Sequence, residues 1–219
     1  MLLQPVWDII EREIFALPSS EGLFNPYNDR TDVYDIPDAI TVRRQNFKSY
    51  LSTYKTKPRL FLLAEAPGPW GCRFSGVPLV SESQLVDDTF PIHGEATSLA
   101  ETPHGEYTAK IYWRVLGPYF PQFFTWNSVP FHPYKEGKPM SIRNPGNREV
   151  RVYIETLKKI IDVIQPEKVL SIGRKAEYAF SKIDVPCTYI RHPSQGGAKK
   201  FEEGINAVVE EMQLISSGA

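Results

Sequence analysis

Two short turns carry residue types from which an active site can be built. Glu65-Ala66-Pro67-Gly68 directly follows the apolar run Leu60-Phe61-Leu62-Leu63-Ala64, where a rigid backbone can present the Glu65 carboxylate and exposed amides to a ligand. Without a partner site, the same residues read equally as a strand-terminating turn with a solvated Glu. The second turn, His192-Pro193-Ser194-Gln195-Gly196-Gly197, also separates an apolar run from a helical pattern. A histidine held there can donate a hydrogen bond to developing negative charge, while Ser194 and the glycines let backbone approach a phosphate; the bland reading is an ordinary loop histidine. Asn127 closes a further apolar run, and its amide offers one donor and one acceptor to an amide-like base edge, or else it caps the next turn.

Other candidates are weaker. His132, between Phe131 and Pro133, reads as a loop-packing residue, and His93 and His104 show no metal-ligand spacing, so no metal is expected. Gly68-Pro69-Trp70-Gly71 lacks the lysine or third glycine of a nucleotide-binding loop. Arg143, Arg148, Arg191, Lys199 and Lys200 are basic residues near the same rim, available for phosphates or simply solvated.

The elements that must position these residues follow from hydrophobic spacing. Val6, Ile10, Ile14 and Leu17 predict a first helix, and Ile40 to Tyr54 a second. Arg59–Ala64, Phe123–Asn127, Lys168–Gly173 and Cys187–Arg191 read as four strands, the first a continuous apolar run suited to burial on both faces. Between them, helices are predicted over Tyr107–Leu116, Arg148–Ile164 and Arg174–Lys182, with a final one carrying Phe201, Ile205, Val208, Met212 and Ile215 and a frayed tail from Ser216 to Ala219. Strands alternating with helices predict an α/β fold: a three-layer α/β/α arrangement around a central, mainly parallel four-stranded sheet, in which ligands bind beyond the carboxyl ends of the strands.

Composition sets the frame. With 219 residues, 42% of them hydrophobic, a single domain over residues 1–219 is expected. No apolar stretch is long enough for a membrane span and the first residues lack a basic leader, so a cytoplasmic chain without membrane association is expected. Two cysteines are too few for a disulfide framework. A net charge of −1 requires any attraction to a polyanion to be local. Nineteen prolines and fourteen glycines point to long ordered loops.

Four blocks, in order and spacing, resemble the uracil-DNA glycosylase superfamily, and within it the class that usually carries an iron-sulfur cluster. They are LLAEAPGPWGCRFSGVPLVSESQL, WNSVPFHPYKEGKPMSIRNPGNRE, VLSIGRKA and RHPSQGG. The resemblance implies a uracil-DNA glycosylase-like fold, a flipped-out base and base-excision repair by hydrolysis of the N-glycosidic bond of uracil or another deaminated base in DNA. It implies catalytic roles for Glu65, which with the Ala66 backbone would position the attacking water, and for His192, which would stabilise charge on the departing base. Asn127 would pair with the base edge. The position of the stacking aromatic falls at Leu79, and Phe74 or Trp70 would take its place. Ser194, Gln195, Gly196 and Lys199 would contact DNA. The chain departs from the class in lacking the cluster cysteines, so no cofactor is expected. Pro69, Trp70, Gly71 and Cys72 stand at its acidic positions, and Ala66 stands where other branches hold a catalytic Asp or Asn. The alternative is a non-catalytic nucleic-acid or nucleotide-binding module on the same fold. A monomer is expected.

Overall fold

The structure is a computed structural model and describes residues 1–216. In chain order it contains Gln4–Ile10 (α1), which runs on as a π-helical turn over Glu11–Phe15, then Leu23–Phe24 (β1), Ala39–Ser52 (α2) and Leu60–Ala64 (β2). Two short helices follow, Cys72–Ser75 (α3) and Glu82–Leu85 (α4), and then Tyr107–Leu116 (α5), Phe123–Asn127 (β3) and His132–Pro133 (β4). The chain continues through Asn147–Val152 (α6), Ile154–Ile164 (α7), Lys168–Ile172 (β5), Arg174–Phe180 (α8), Thr188–Ile190 (β6) and Ala198–Met212 (α9).

The main sheet has strand order β3-β2-β5-β6 and every pairing is parallel, the arrangement expected from the alternating pattern. Its two middle strands are apolar and buried because helices cover both faces. Alternation along β3 shows the layers. Phe124 and Trp126 meet Tyr50 and Phe47 of α2, at 5.5 and 5.6 Å between ring centres, whereas Phe123 and Thr125 meet Tyr112 of α5. On that second face α5 packs against α9, which also touches β6; on the first, α1 packs against α2 and α7. Register places Ala64 opposite Asn127 and Ile172 opposite Ile190, so the chain leaves β2, β3, β5 and β6 along one edge.

Three expectations change. The helix predicted over Arg148–Ile164 is two helices, because α6 packs on α8 and α7 on α1, and the break falls at Tyr153, whose ring contacts Phe131 at 5.5 Å. The first helix passes into π geometry, a widening of the hydrogen-bond ladder that an apolar stripe does not register. The last helix stops at Met212, with Gln213 in the left-handed region, and Ile215 is left exposed. Of the tail expected at Ser216–Ala219, only Ser216 lies within the described residues.

Two parts of the scaffold had no clear counterpart in the sequence. β1 and β4 pair as a small antiparallel sheet, Leu23 with Pro133 and Phe24 with His132. The long connection from Asp87 to Glu106 is clasped by one buried carboxylate. Glu82 Oε1 accepts from the backbone amides of Thr97 and Ser98 at 2.5 and 2.8 Å, and Oε2 from the Ser98 hydroxyl at 2.7 Å and the His104 amide at 3.1 Å. Beside it lies a buried ionic cluster in which Asp35 accepts from Arg43 and Arg73, the latter at 2.9 Å through Nη2, and from the Thr31 amide at 2.7 Å. No helix among the described residues is long and apolar enough to cross a membrane.

Candidate active site

The turns leaving the carboxyl edge of the sheet enclose a cavity of about 650 Å³. Its walls include Glu65 and Ala66 after β2, Asn127 at the end of β3, Gly173 after β5, and His192, Ser194 and Gln195 after β6. Residues far apart in sequence are thus brought to one place by parallel pairing alone.

Each wall constrains its side chain differently. The Glu65 carboxylate is held on the β5 side, where Oε1 accepts from the Lys175 amide at 3.2 Å at the start of α8. φ is +90° at Gly173, which requires glycine, and the missing Cβ leaves the carboxylate its space, since one there would stand 2.4 Å from that oxygen. The Glu65 carbonyl accepts from Val129 N at 3.0 Å and Ser128 Oγ at 2.7 Å, which fixes the turn relative to β3. Asn127 is buried, and its amide makes one weak bond, from Nδ2 to Cys72 Sγ at 3.8 Å, which leaves a donor and an acceptor for a ligand. Burial pushes the Cys72 thiol up to about 12, so it stays protonated and is no nucleophile.

His192 has a defined tautomer. Its Nδ1 accepts from the Ser194 backbone amide at 3.2 Å and lies 2.8 Å from the Ser194 hydroxyl, so in the neutral ring the proton sits on Nε2. Burial, reinforced by the neighbouring Arg191 charge, lowers the ring from 6.5 to about 4. Above that pH the ring presents a neutral Nε2–H donor. The folded chain resists a proton that the unfolded chain accepts, so this residue's contribution to stability is lost as pH falls from 6.5 towards about 4. An NMR titration of the His192 ring should give a midpoint near 4. A midpoint at or above the ordinary 6.5 would contradict the desolvated, Nε2-protonated ring.

Of the residues singled out in the sequence, Glu65, Ala66, Asn127, His192, Ser194 and Gln195 line the cavity, as do Arg143 and Arg191. Gly196 and Lys199 lie outside it, Lys199 on the exposed first turn of α9, 3.8 Å from Glu203; Arg148 and Lys200 are also outside. The stacking role expected of Phe74 is corrected. Phe74 is fully buried beneath Trp70 and His104, with the Arg73 guanidinium 4.2 Å from its ring centre, and it does not line the cavity. Trp70 does not line it either. Leu79, held in the left-handed region at φ 54°, does line it, with Ile142, Pro145 and Tyr189 among the other apolar or aromatic residues of the wall. His132 is buried against the carbonyls of Pro67 and Pro139, at 2.9 and 3.1 Å, and braces the first turn.

Sequence reasoning missed Glu106, Tyr189 and Lys175, all of which line the cavity. Lys175 and Arg174 follow Gly173 directly, and with Arg143 and Arg191 they place four basic residues at the mouth, two of them ion-paired, Arg143 with Glu149 and Arg174 with Glu177. Glu106 belongs to the long connection and carried no signal of its own. The one indirect cue is that Gly68 and Gly71 both lack a Cβ, and it is the Glu106 carboxyl that occupies the space they leave.

The two cysteines lie apart, Cys72 beside Asn127 and Cys187 beside Ser171, and the chain has no others, so the thiolates of an iron-sulfur cluster are not available. Among the described residues no group of three or more His, Cys, Asp or Glu is placed to hold a metal ion.

Residues 51–213 match the Uracil DNA glycosylase superfamily. The fold is similar to that of the crystal structure of Pedobacter heparinus SMUG2, with a TM-score of 0.64 and 15% sequence identity over 95% of this chain and 97% of that one. No curated protein sequence matches. A family match that spans β2 to α9, and with them every turn that lines the cavity after a strand of the main sheet, makes this chain a member of the uracil-DNA glycosylase superfamily.

Proposed function

We propose that the chain is a DNA glycosylase that removes uracil or another deaminated base by hydrolysing its N-glycosidic bond. The observation that carries this reading is the convergence of Glu65, Asn127 and the Nε2–H of His192 on one cavity at the carboxyl edge of the sheet. In this reading the base leaves its stack, enters the cavity and pairs with the Asn127 amide. The bond between C1′ and the base nitrogen breaks, and its electron pair stays on the base. The Nε2–H of His192 then stabilises the resulting negative charge without itself being charged. The Glu65 carboxylate faces the cationic sugar carbon and orients water, whose oxygen bonds to C1′ and whose proton ends on the base. Arg174, Lys175 and Arg191 at the mouth suit flanking phosphates, and Ser194, Gln195, Gly196 and Lys199 form the edge along which the duplex would lie.

Release of uracil, hypoxanthine and xanthine from single- and double-stranded oligonucleotides tests this. Asn127→Ala should lower kcat/KM by about 10- to 100-fold, as expected for a lost bidentate base contact. Release by the wild type that Asn127→Ala leaves unchanged would remove the site assignment. Binding of these oligonucleotides without release would instead favour the non-catalytic module.

A further inference from the structure

The Glu106 carboxyl is a half-buried acid at the cavity wall without a hydrogen-bond partner among the described residues. Its oxygens occupy the space above the first turn, where a Cβ at Gly68 would stand 1.8 Å from Oε1 and one at Gly71 2.1 Å from Oε2. Both glycines are therefore needed to admit it. The carboxyl makes no hydrogen bond among the described residues, yet it faces the cavity. Burial raises it from 4.5 to about 7, so near neutrality a large fraction carries a proton and can donate it. Reached from the cavity and unpaired with protein groups, the carboxyl is free to bond a ligand there. Its upstream neighbours are rigidly held, since Glu82 grips Thr97, Ser98 and His104, so the carboxyl does not sit on a loose loop.

Its position decides what it would read. Glu106 immediately precedes α5, the helix that leads into β3, and its charge acts on Cys72, the same residue whose sulfur receives the Asn127 amide. His192 instead leaves β6, at the opposite edge of the sheet. The acid thus lies at the Asn127 end of the cavity, away from the histidine. If Asn127 reads the lactam edge of a base, the next group outward is a C–H in uracil and the acceptor N7 in a 6-oxopurine.

We propose that Glu106 is a specificity-determining residue that donates a hydrogen bond to N7 of a deaminated purine, making hypoxanthine and xanthine the bases this pocket fits best. The inference rests on the base-binding reading given above. It deepens that reading by naming the substrate class and a residue from outside the four sequence blocks.

The test compares binding of the free bases hypoxanthine, 7-deazahypoxanthine and uracil by titration calorimetry, alongside single-turnover release of hypoxanthine, xanthine and uracil from oligonucleotides. Wild type should bind hypoxanthine at least about ten-fold more tightly than its 7-deaza analogue, the size of one good hydrogen bond. Glu106→Ala should abolish that ratio, and Glu106→Gln, whose amide can still donate, should keep much of it. Circular dichroism and thermal melts establish that both variants fold. Equal affinity for the two purines in the wild type, or a ratio unchanged in Glu106→Ala, overturns the proposal. Excision of uracil alone would leave the glycosylase reading intact and remove this one. Discrimination at N7 without excision of any base would do the reverse.

Discussion

His192→Ala is expected to slow base excision by about 10²- to 10³-fold, which corresponds to about 2.7–4 kcal/mol of lost transition-state stabilisation. The loss should fall on kcat and hardly on KM, because the charge that Nε2–H meets develops only as the glycosidic bond breaks. Single-turnover release of the preferred base at saturating enzyme measures it directly. Ser194→Ala makes a useful partner, since the backbone amide of Ser194 still donates to Nδ1 after the hydroxyl is gone. The tautomer should survive and the loss should be much smaller. A decrease below about five-fold in His192→Ala would be less than general acid-base or electrostatic assistance normally supplies and would assign the charge stabilisation to another group.

The second large effect is on stability. Asp35→Ala should destabilise the fold by about 3–5 kcal/mol, because it strips the counter-charge from two buried guanidinium groups at once. Burial alone would push the Asp35 carboxyl up, but hydrogen bonding from Arg73 and the charges of Arg43 and Arg73 overcome this and hold it below the usual carboxylate range. Its stabilising contribution is therefore complete above the ordinary value of 3.8 and is lost as pH falls through the lowered one. Arg43 links the cluster to the carbonyls of Pro26, Asp29 and Phe74 and to Thr97 Oγ1, so the damage should spread to the segment after β1, to α3 and to the long connection together. Denaturant unfolding at neutral pH gives the number, and a thermal scan should show a melting temperature lower by roughly 6–20 °C for a chain of this length. A change under about 1 kcal/mol, the value of an exposed ion pair, would mean that the cluster is hydrated in solution.

How legible the molecule is in its sequence depends on whether a feature is local. β2, β3 and β5 announce themselves because burial on both faces leaves short, largely apolar runs, β6 is a shorter, half-exposed edge strand, and their order along the chain dictates parallel pairing. The positions of Glu65, Asn127 and His192 follow from that, since each sits at or just beyond the carboxyl end of a strand. What is not local is not legible. β1 and β4 are two residues each and exist only because distant loops meet. Glu106 acquires its place through Glu82, Gly68 and Gly71, none of which points to it in sequence. Phe74, an aromatic beside the first turn, has the right type for stacking on a base, yet the buried Arg73 next to it and the ring of His104 draw it into the interior.

The grip of Glu82 on the long connection has one more consequence. The same carboxylate binds Thr97 and Ser98 before, and His104 after, the exposed stretch Leu99–Thr102, so that stretch is a loop whose two ends are tied to a single post. Lengthening a surface loop with fixed ends costs little, about 0.6 kcal/mol per doubling. Extra residues inserted there would bulge outward while Glu106, downstream of the knot, kept its place over the glycines. The chain can therefore vary its outer contour at this point, as a site for tags, labels or natural insertions, without its pocket sensing the change.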